Sequence, residues 1–248
     1  MSDCIAGRNP VLEALKSGAQ IHRILVAGGA AKGSVNEITA RARERGIAVQ
    51  TVEKKYLDNL AGGVNHQGVA ALVPAREYVE VDDILEVSRQ KGEAPFILVL
   101  DGIEDPHNLG AIIRTADAAG VHGIIIPKRR AAGLTAAVAK ASAGAVEYMP
   151  VARVTNLVQA VEKLKEHGCW VAAADMKGEV LWGNKGLSGP LACVIGGEGR
   201  GVSRLLREKC DFLVCIPMKG RVTSLNASVA AAILCYEVLR ERETGAGR

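Results

Sequence analysis

The stretch Pro95–Gly120, "PFILVLDGIEDPHNLGAIIRTADAAG", decides the fold. Its five consecutive apolar residues, Phe96 to Leu100, have the length of a strand, and their lack of alternation means that both faces are covered. A polar loop comes after it. Next is a run in which Leu109, Ile112, Ile113, Ala116 and Ala119 recur at helical spacing, with Asn108 near its start and Gly120 as its stop. Strand, loop and helix in this order form the repeating unit of a parallel sheet flanked by helices. The same continuous apolar signature returns in "GIIIP" (Gly123–Pro127), "CWVAAAD" (Cys169–Asp175), "LACVIGG" (Leu191–Gly197) and "FLVCIPM" (Phe212–Met218). The expected fold class is therefore α/β, with a parallel sheet in the C-terminal part.

Upstream, "IHRILVA", "IAVQTV" and "GVAALV" alternate with helical stretches such as Val35 to Arg45, which reads as a smaller α/β unit. After Pro74 the charged segment up to Pro95 has little strand signal and reads as a linker with some helix. The expected division is residues 1–75, a linker over 76–92, and a second domain over 93–248.

With 248 residues, 48% hydrophobic and 23% charged, the chain can bury a substantial core. The N-terminal "MSDCIAGRNP" carries no apolar targeting segment, and no apolar run approaches the ~20 residues needed to span a bilayer. A cytoplasmic protein is expected. The six cysteines show no CxxC spacing and lie mostly in apolar segments, which supports neither a metal site nor a disulfide framework. A net charge of +4 is compatible with nucleic acid but does not argue for it alone.

Ligands of open parallel sheets collect beyond the carboxyl ends of the strands, so the loops after each apolar run are the places to inspect. One is "GGEGRG" (Gly196–Gly201). It fits neither phosphate-loop template: Val202 and Ser203 stand where a Walker loop needs Lys and Ser/Thr, and Val202 stands where GxGxxG needs its last glycine. A tight turn explains the glycines, but not the ionisable Glu198 among them. In the loop and helix after Leu100, Asn108 reads either as a cap or as a ligand-facing amide, and Arg114 either as a partner of Asp117 or as a site cation. His107 is a weaker candidate. Lys128, Arg129 and Arg130 form a basic loop at the same edge. Together with Arg114, Arg200, Lys219 and Arg221 they would line a rim suited to a phosphate backbone. With two Phe, two Trp and four Tyr, a base-stacking platform is not expected.

The last candidate is a helix from Leu225 to Leu239, small or apolar on nearly every side and so expected to be buried all round. Its mouth nevertheless carries Ser224, Asn226 and Ser228. Capping by Ser224 would account for one of the three.

Three segments, "NLGAIIRTADAAG" (Asn108–Gly120), "CVIGGEGRGVS" (Cys193–Ser203) and "IPMKGRVTSLNASVAAAI" (Ile216–Ile233), together resemble the three motifs of the SpoU/TrmH family of RNA ribose 2′-O-methyltransferases in residue types, order and spacing. The opening "IAGRNPVLEAL" (Ile5–Leu15) and the residues after it to about Ala75 are similar to the ribosomal-protein-like RNA-binding domain carried by some members. The resemblance implies S-adenosylmethionine bound in a deep trefoil knot, and a homodimer with the active site shared between subunits. It implies backbone contacts to the cofactor from Gly196, Gly197, Ile216, Met218 and Leu225. Its polar active-site set corresponds to Asn108, Arg114, Glu198, Ser224 and Asn226, and RNA would meet Lys128, Arg129, Arg130, Arg200 and Arg221. The sulfonium donor is already activated, so no metal is expected. The implied substrate is a guanosine of large-subunit ribosomal RNA. A transfer-RNA 2′-O-methyltransferase and a non-catalytic RNA-binding protein of the same fold are the alternatives. The family's usual scheme gives Arg114 the base role, yet guanidinium groups are almost always protonated, which leaves a phosphate- or ribose-positioning role equally open.

Overall fold

A computed structural model describes residues 2–16, 18–29, 32–61, 65–74, 77–183 and 185–245. The chain divides into two units, the first running through Glu77 and taking in Leu134–Ala136, the second made of the rest from Tyr78. The boundary expected at residues 75 and 76 lies outside the described residues.

The first unit holds β1 (Ser2–Ala6), α1 (Arg8–Lys16), β2 (Arg23–Ala27), α2 (Lys32–Glu44), β3 (Ala48–Val52), α3 (Lys54–Ala61) and β4 (Val69–Pro74). Its sheet has the order β1-β4-β2-β3, with β4 antiparallel to both neighbours and β2 parallel to β3. Two buried clusters hold it together. Val11, Leu15, Ile24, Ile38 and Val69 form one, and Leu25, Leu57 and Ala70 the other. The strand β1 was not anticipated, because "SDCIA" is short and begins with polar residues; pairing with β4 from Ser2↔Pro74 to Ala6↔Ala70 makes it a strand.

The second unit holds α4 (Val81–Lys91), β5 (Phe96–Asp101), α5 (Pro106–Ala118), β6 (Gly123–Pro127), α6 (Ala136–Ala141), β7 (Val151–Val154), α7 (Leu157–Glu166), β8 (Trp170–Val180), β9 (Leu191–Gly196), α8 (Arg204–Lys209), β10 (Phe212–Cys215) and α9 (Ala227–Gly245). Every strand pair is parallel, in the order β10-β8-β9-β5-β6-β7. Phe96 to Leu100 are all buried, as the unbroken apolar run requires. Each such side chain contributes about 1.5–3 kcal/mol relative to exposure, so a polar alternation here would be ruinous. One face of the sheet packs Ile97, Val99, Val171 and Val194 against Val81, Ile84 and Leu85 of α4, Val161 and Leu164 of α7, and Leu206 of α8. The segment 76–92, read as a linker with some helix, contains α4, whose apolar side chains belong to this core.

Helix α9 departs from expectation in two ways. It begins at Ala227 rather than Leu225, and it is not buried all round: Val229 and Tyr236 are 46% and 52% exposed while Ala231, Leu234, Cys235 and Val238 are buried. Its far end is held by Arg242, which donates to the carbonyls of Ala94, Pro95 and Gly189 at 2.7–2.8 Å and lies over the Phe96 ring. These three acceptors offset part of the cost of burying a guanidinium, whose Nε is buried without a hydrogen-bond partner.

His122 sits at the same amino edge. Its Nδ1 accepts the Phe96 N–H at 3.0 Å, and its Nε2 lies 3.0 Å from Glu93. Burial, opposed in part by Glu93, holds it below its usual 6.5. The unfolded chain therefore takes up a proton that the folded chain resists. This stability is fully present above pH 6.5 and is lost as pH falls from there through the folded value. Denaturation midpoints should decline over that interval in the wild type and more shallowly in His122→Asn, whose amide oxygen can replace Nδ1; equal slopes would exclude His122 as the cause.

Candidate active site

The neighbours β5 and β9 end together, Asp101 opposite Gly196, and from β5 the chain moves to β6 on its other side. Loops diverge at such a switch point and leave a crevice beyond the carboxyl ends. The site is built from three segments that meet there.

The first is the start of α5. Asp105, not Asn108, is its N-cap: its carboxylate accepts the His107 N–H at 2.9 Å and Pro106 opens the helix. The Asp-Pro pair is a sequence signal for this arrangement that a reading centred on Asn108 passed over. Relieved of capping, Asn108 is free to face the crevice.

The second segment is the loop after β9. Gly201 N–H returns to the Gly197 carbonyl at 3.0 Å, and Gly197 bridges to Gly201, so the loop closes at its base. A Cβ on Gly196 would lie 2.0 Å from the Gly201 carbonyl carbon, and one on Gly197 would lie 2.1 Å from the Gly102 oxygen. Chain-on-chain approach therefore demands both glycines. Asp101 holds the base from below, its carbonyl accepting Gly197 N–H and its carboxylate accepting Ser203 N–H, both at 2.8 Å. Sequence reading missed Asp101, although a carboxylate as the last residue of a buried strand is a usable signal.

The third segment lies beyond β10. Asn226 caps α9, its Oδ1 accepting from Ser228 N–H at 2.9 Å, Ser228 Oγ at 2.6 Å and Val229 N–H at 3.4 Å. The cap fixes which way the amide points. Its Nδ2 therefore faces the crevice, donating to Asn108 Oδ1 at 2.9 Å and to Glu198 Oε1 at 2.5 Å. Asn108 Nδ2 donates to the same Glu198 oxygen at 3.2 Å. Asn108 and Glu198, 90 positions apart, and Asn226, 28 positions further on, thus form one closed triangle.

The remaining expected residues stand outside it. Ser224 is exposed and makes no hydrogen bond among the described residues, and it does not cap α9. Arg114 is exposed on α5 and pairs neither with Asp117, the first of its two readings, nor with any other side chain among the described residues. Lys128, Arg129, Arg130, Arg200, Lys219 and Arg221 are exposed, with side chains unpaired among the described residues. Ile216, Met218 and Leu225 are half-buried in a stretch, 216–225, whose N–H groups make no hydrogen bond among the described residues and whose only bonded carbonyl there is that of Ile216, to the Cys215 thiol. Such main chain, half-buried at 216–218 and 225 and exposed between, has donors and acceptors to give to a ligand. On the neighbouring edge, Asp175 is fastened by the Lys177 N–H at 2.9 Å and Arg207 at 3.0 Å, which hold its carboxyl below the usual range against the opposing effect of burial.

Comparison with known proteins gives a consistent set of likenesses. Residues 95–236 match the SpoU rRNA methylase family, and residues 4–79 match the family described as RNA 2′-O ribose methyltransferase substrate binding. The Bacillus subtilis protein YacO, whose name places it in the TrmH family of tRNA/rRNA methyltransferases, is 52% identical over 97% of this chain and 96% of its own. The SpoU methyltransferase AviRb of Streptomyces viridochromogenes, solved with AdoMet, superposes with a TM-score of 0.65 at 26% identity, covering 98% of this chain and 92% of its own. An AdoMet-bound rRNA methyltransferase of Sinorhizobium meliloti gives 0.63 at 28% identity, covering 96% and 87%. A structure described by 2-OH methylation of C/U34 on tRNA gives 0.54 at 27% identity, covering 61% of this chain and 98% of its own.

The double duty of Asn226 separates two effects. Asn226→Asp keeps a good cap but replaces the crevice donor with a second carboxylate beside Glu198, whereas Asn226→Ala removes both functions. Thermal unfolding should show the alanine variant destabilised by about 0.5–2 kcal/mol from the lost cap. Activity should fall in both; an active aspartate variant would contradict the donor role.

Proposed function

The chain belongs to the SpoU family of RNA methyltransferases, and on that premise we propose that it transfers a methyl group from S-adenosylmethionine to the ribose 2′-hydroxyl of a guanosine in large-subunit ribosomal RNA. This is the reaction of the 23S rRNA guanosine 2′-O-methyltransferase RlmB, which its motifs resemble. The observation that carries the reading is the triangle of Asn108, Glu198 and Asn226 at the sheet's switch point. A non-catalytic binding protein would have no need to hold three polar side chains in mutual register there.

The residues present fit the cofactor. The main chain of 216–225, almost unpaired among the described residues, and the half-buried Ile216, Met218 and Leu225 within it offer an adenosine both polar edges and apolar contact. Gly196 and Gly197 bring backbone, rather than side chain, to the crevice. When bound, S-adenosylmethionine supplies an activated methyl group. The protein must align the ribose hydroxyl with it and provide for removal of a proton. Asn108, Glu198 and Asn226, bonded to one another, would orient the ribose, and Ser224, two residues before Asn226, offers a hydroxyl unpaired among the described residues. Arg114 has no side-chain partner among the described residues, which suits a guanidinium that grips RNA phosphate or ribose.

Arg114 takes no part in the triangle, and it is exposed on α5, which packs beside α9. The exposed apolar positions Val229 and Tyr236, seven residues apart on α9, suit a second copy of the chain. In such a homodimer Arg114 of one subunit completes the site of the other.

Ribosomal RNA is favoured over transfer RNA by extent of likeness. The rRNA methyltransferase of Sinorhizobium meliloti aligns with 96% of this chain, the tRNA-directed structure with 61%. The N-terminal unit is the RNA-binding domain in this reading, as its match over residues 4–79 supports. Lys128, Arg129, Arg130, Arg200 and Arg221, unpaired among the described residues, supply the phosphate contacts.

Arg114→Ala should abolish transfer while cofactor affinity, read by calorimetry, stays within a few-fold. Mixed dimers of Arg114→Ala and Asn226→Ala chains should regain activity, since one composite site is then intact. Wild-type turnover by Arg114→Ala would end its assignment, and failure of the mixed dimers would end the shared site.

A further inference from the structure

We infer that Asp101 is a positioning residue, which sets the place of Glu198 by fastening both ends of the loop that carries it. The inference rests on the proposed methyl transfer for its activity readout, and on geometry alone for its structural one.

Glu198 occupies a loop of four glycines and one arginine, a composition with little intrinsic stiffness. Gly199 and Gly201 adopt positive φ, 82° and 61°, so the loop holds conformations that other residues enter rarely. Yet its carboxylate must accept two amide donors on one oxygen. Something outside the loop has to hold it. Asp101 bonds to the residue before Glu198 through its main-chain carbonyl and to Ser203, beyond the loop, through its carboxylate. The two attachments come from a single residue on a buried strand in register with β9, so they move together. Asp101 itself bonds to none of the three triangle side chains. Its effect on the reaction therefore passes through loop geometry.

The Ser203 end is the separable half of this clamp. Ser203 has φ −60°, the value that proline fixes, and the proline Cδ would stand where the N–H donates, so the Asp101 carboxylate must turn away. Ser203→Pro therefore removes the donor, while Asp101→Ala removes the acceptor and Asp101→Asn keeps an acceptor of the same shape.

Hydrogen exchange and turnover on a ribosomal RNA fragment test the inference together in the full-length protein. In Asp101→Ala, amides across 197–203 should exchange faster while those of β5 and α5 keep wild-type protection. Turnover should fall about 10- to 100-fold, as expected for a reacting group displaced by about an ångström, with cofactor affinity little changed. Asp101→Asn should restore most of both, and Asp101→Ala/Ser203→Pro should be no worse than the poorer single variant, because both remove the same bond. Loosened exchange with unchanged turnover would overturn the positioning role, as would additive losses in the double variant. If the wild type transfers no methyl group, the proposed function fails, while the exchange result still decides whether Asp101 orders the loop.

Discussion

The arrangement depends on one amide. Asn226 turns its oxygen toward the first turn of α9 and its nitrogen toward Glu198 and Asn108. The cap, a local requirement of any helix, thereby settles the orientation of a side chain in the crevice. Helix stability and site geometry are linked through a single torsion, and a residue that caps as well but cannot donate separates them.

Around that amide, precision is supplied by backbone meeting backbone. Gly196 lies against the Gly201 main chain and Gly197 against Gly102, so the loop that carries Glu198 packs directly on the loop that leads into α5. A side chain at Gly197 would force the two loops apart, and one at Gly196 would force open the Glu198 loop itself. At the opposite edge Arg242 ties the end of α9 to the starts of β5 and β9. The helix is thus fixed at both ends, at one by neutral carbonyls and at the other by the site itself.

Much of this was legible in the sequence wherever one physical requirement dominated. The continuous run Phe96–Leu100 can only be a strand covered on both faces, and the stripe Leu109, Ile112, Ile113, Ala116 is buried as its spacing demands. Asn108, Glu198 and Asn226 could be singled out because polar groups stood where a turn or cap alone needed less. What was not legible depended on long-range pairing. The strand β1 exists because β4 offers it a ladder, and Asp101 matters because Ser203, 102 residues later, returns to it. The exposure of Val229 and Tyr236 on α9 was not legible for a related reason: an apolar composition does not report which of its positions the rest of the chain covers.

Methyl transfer to a ribose 2′-hydroxyl of ribosomal RNA is tested most directly with purified protein, labelled S-adenosylmethionine and two unmodified RNAs. One is a large-subunit ribosomal RNA transcript and the other bulk transfer RNA, with any labelled nucleotide then mapped. Label is expected on the ribose of a single guanosine in the ribosomal RNA. Label confined to transfer RNA, or on a base rather than a ribose, would contradict the proposed reaction.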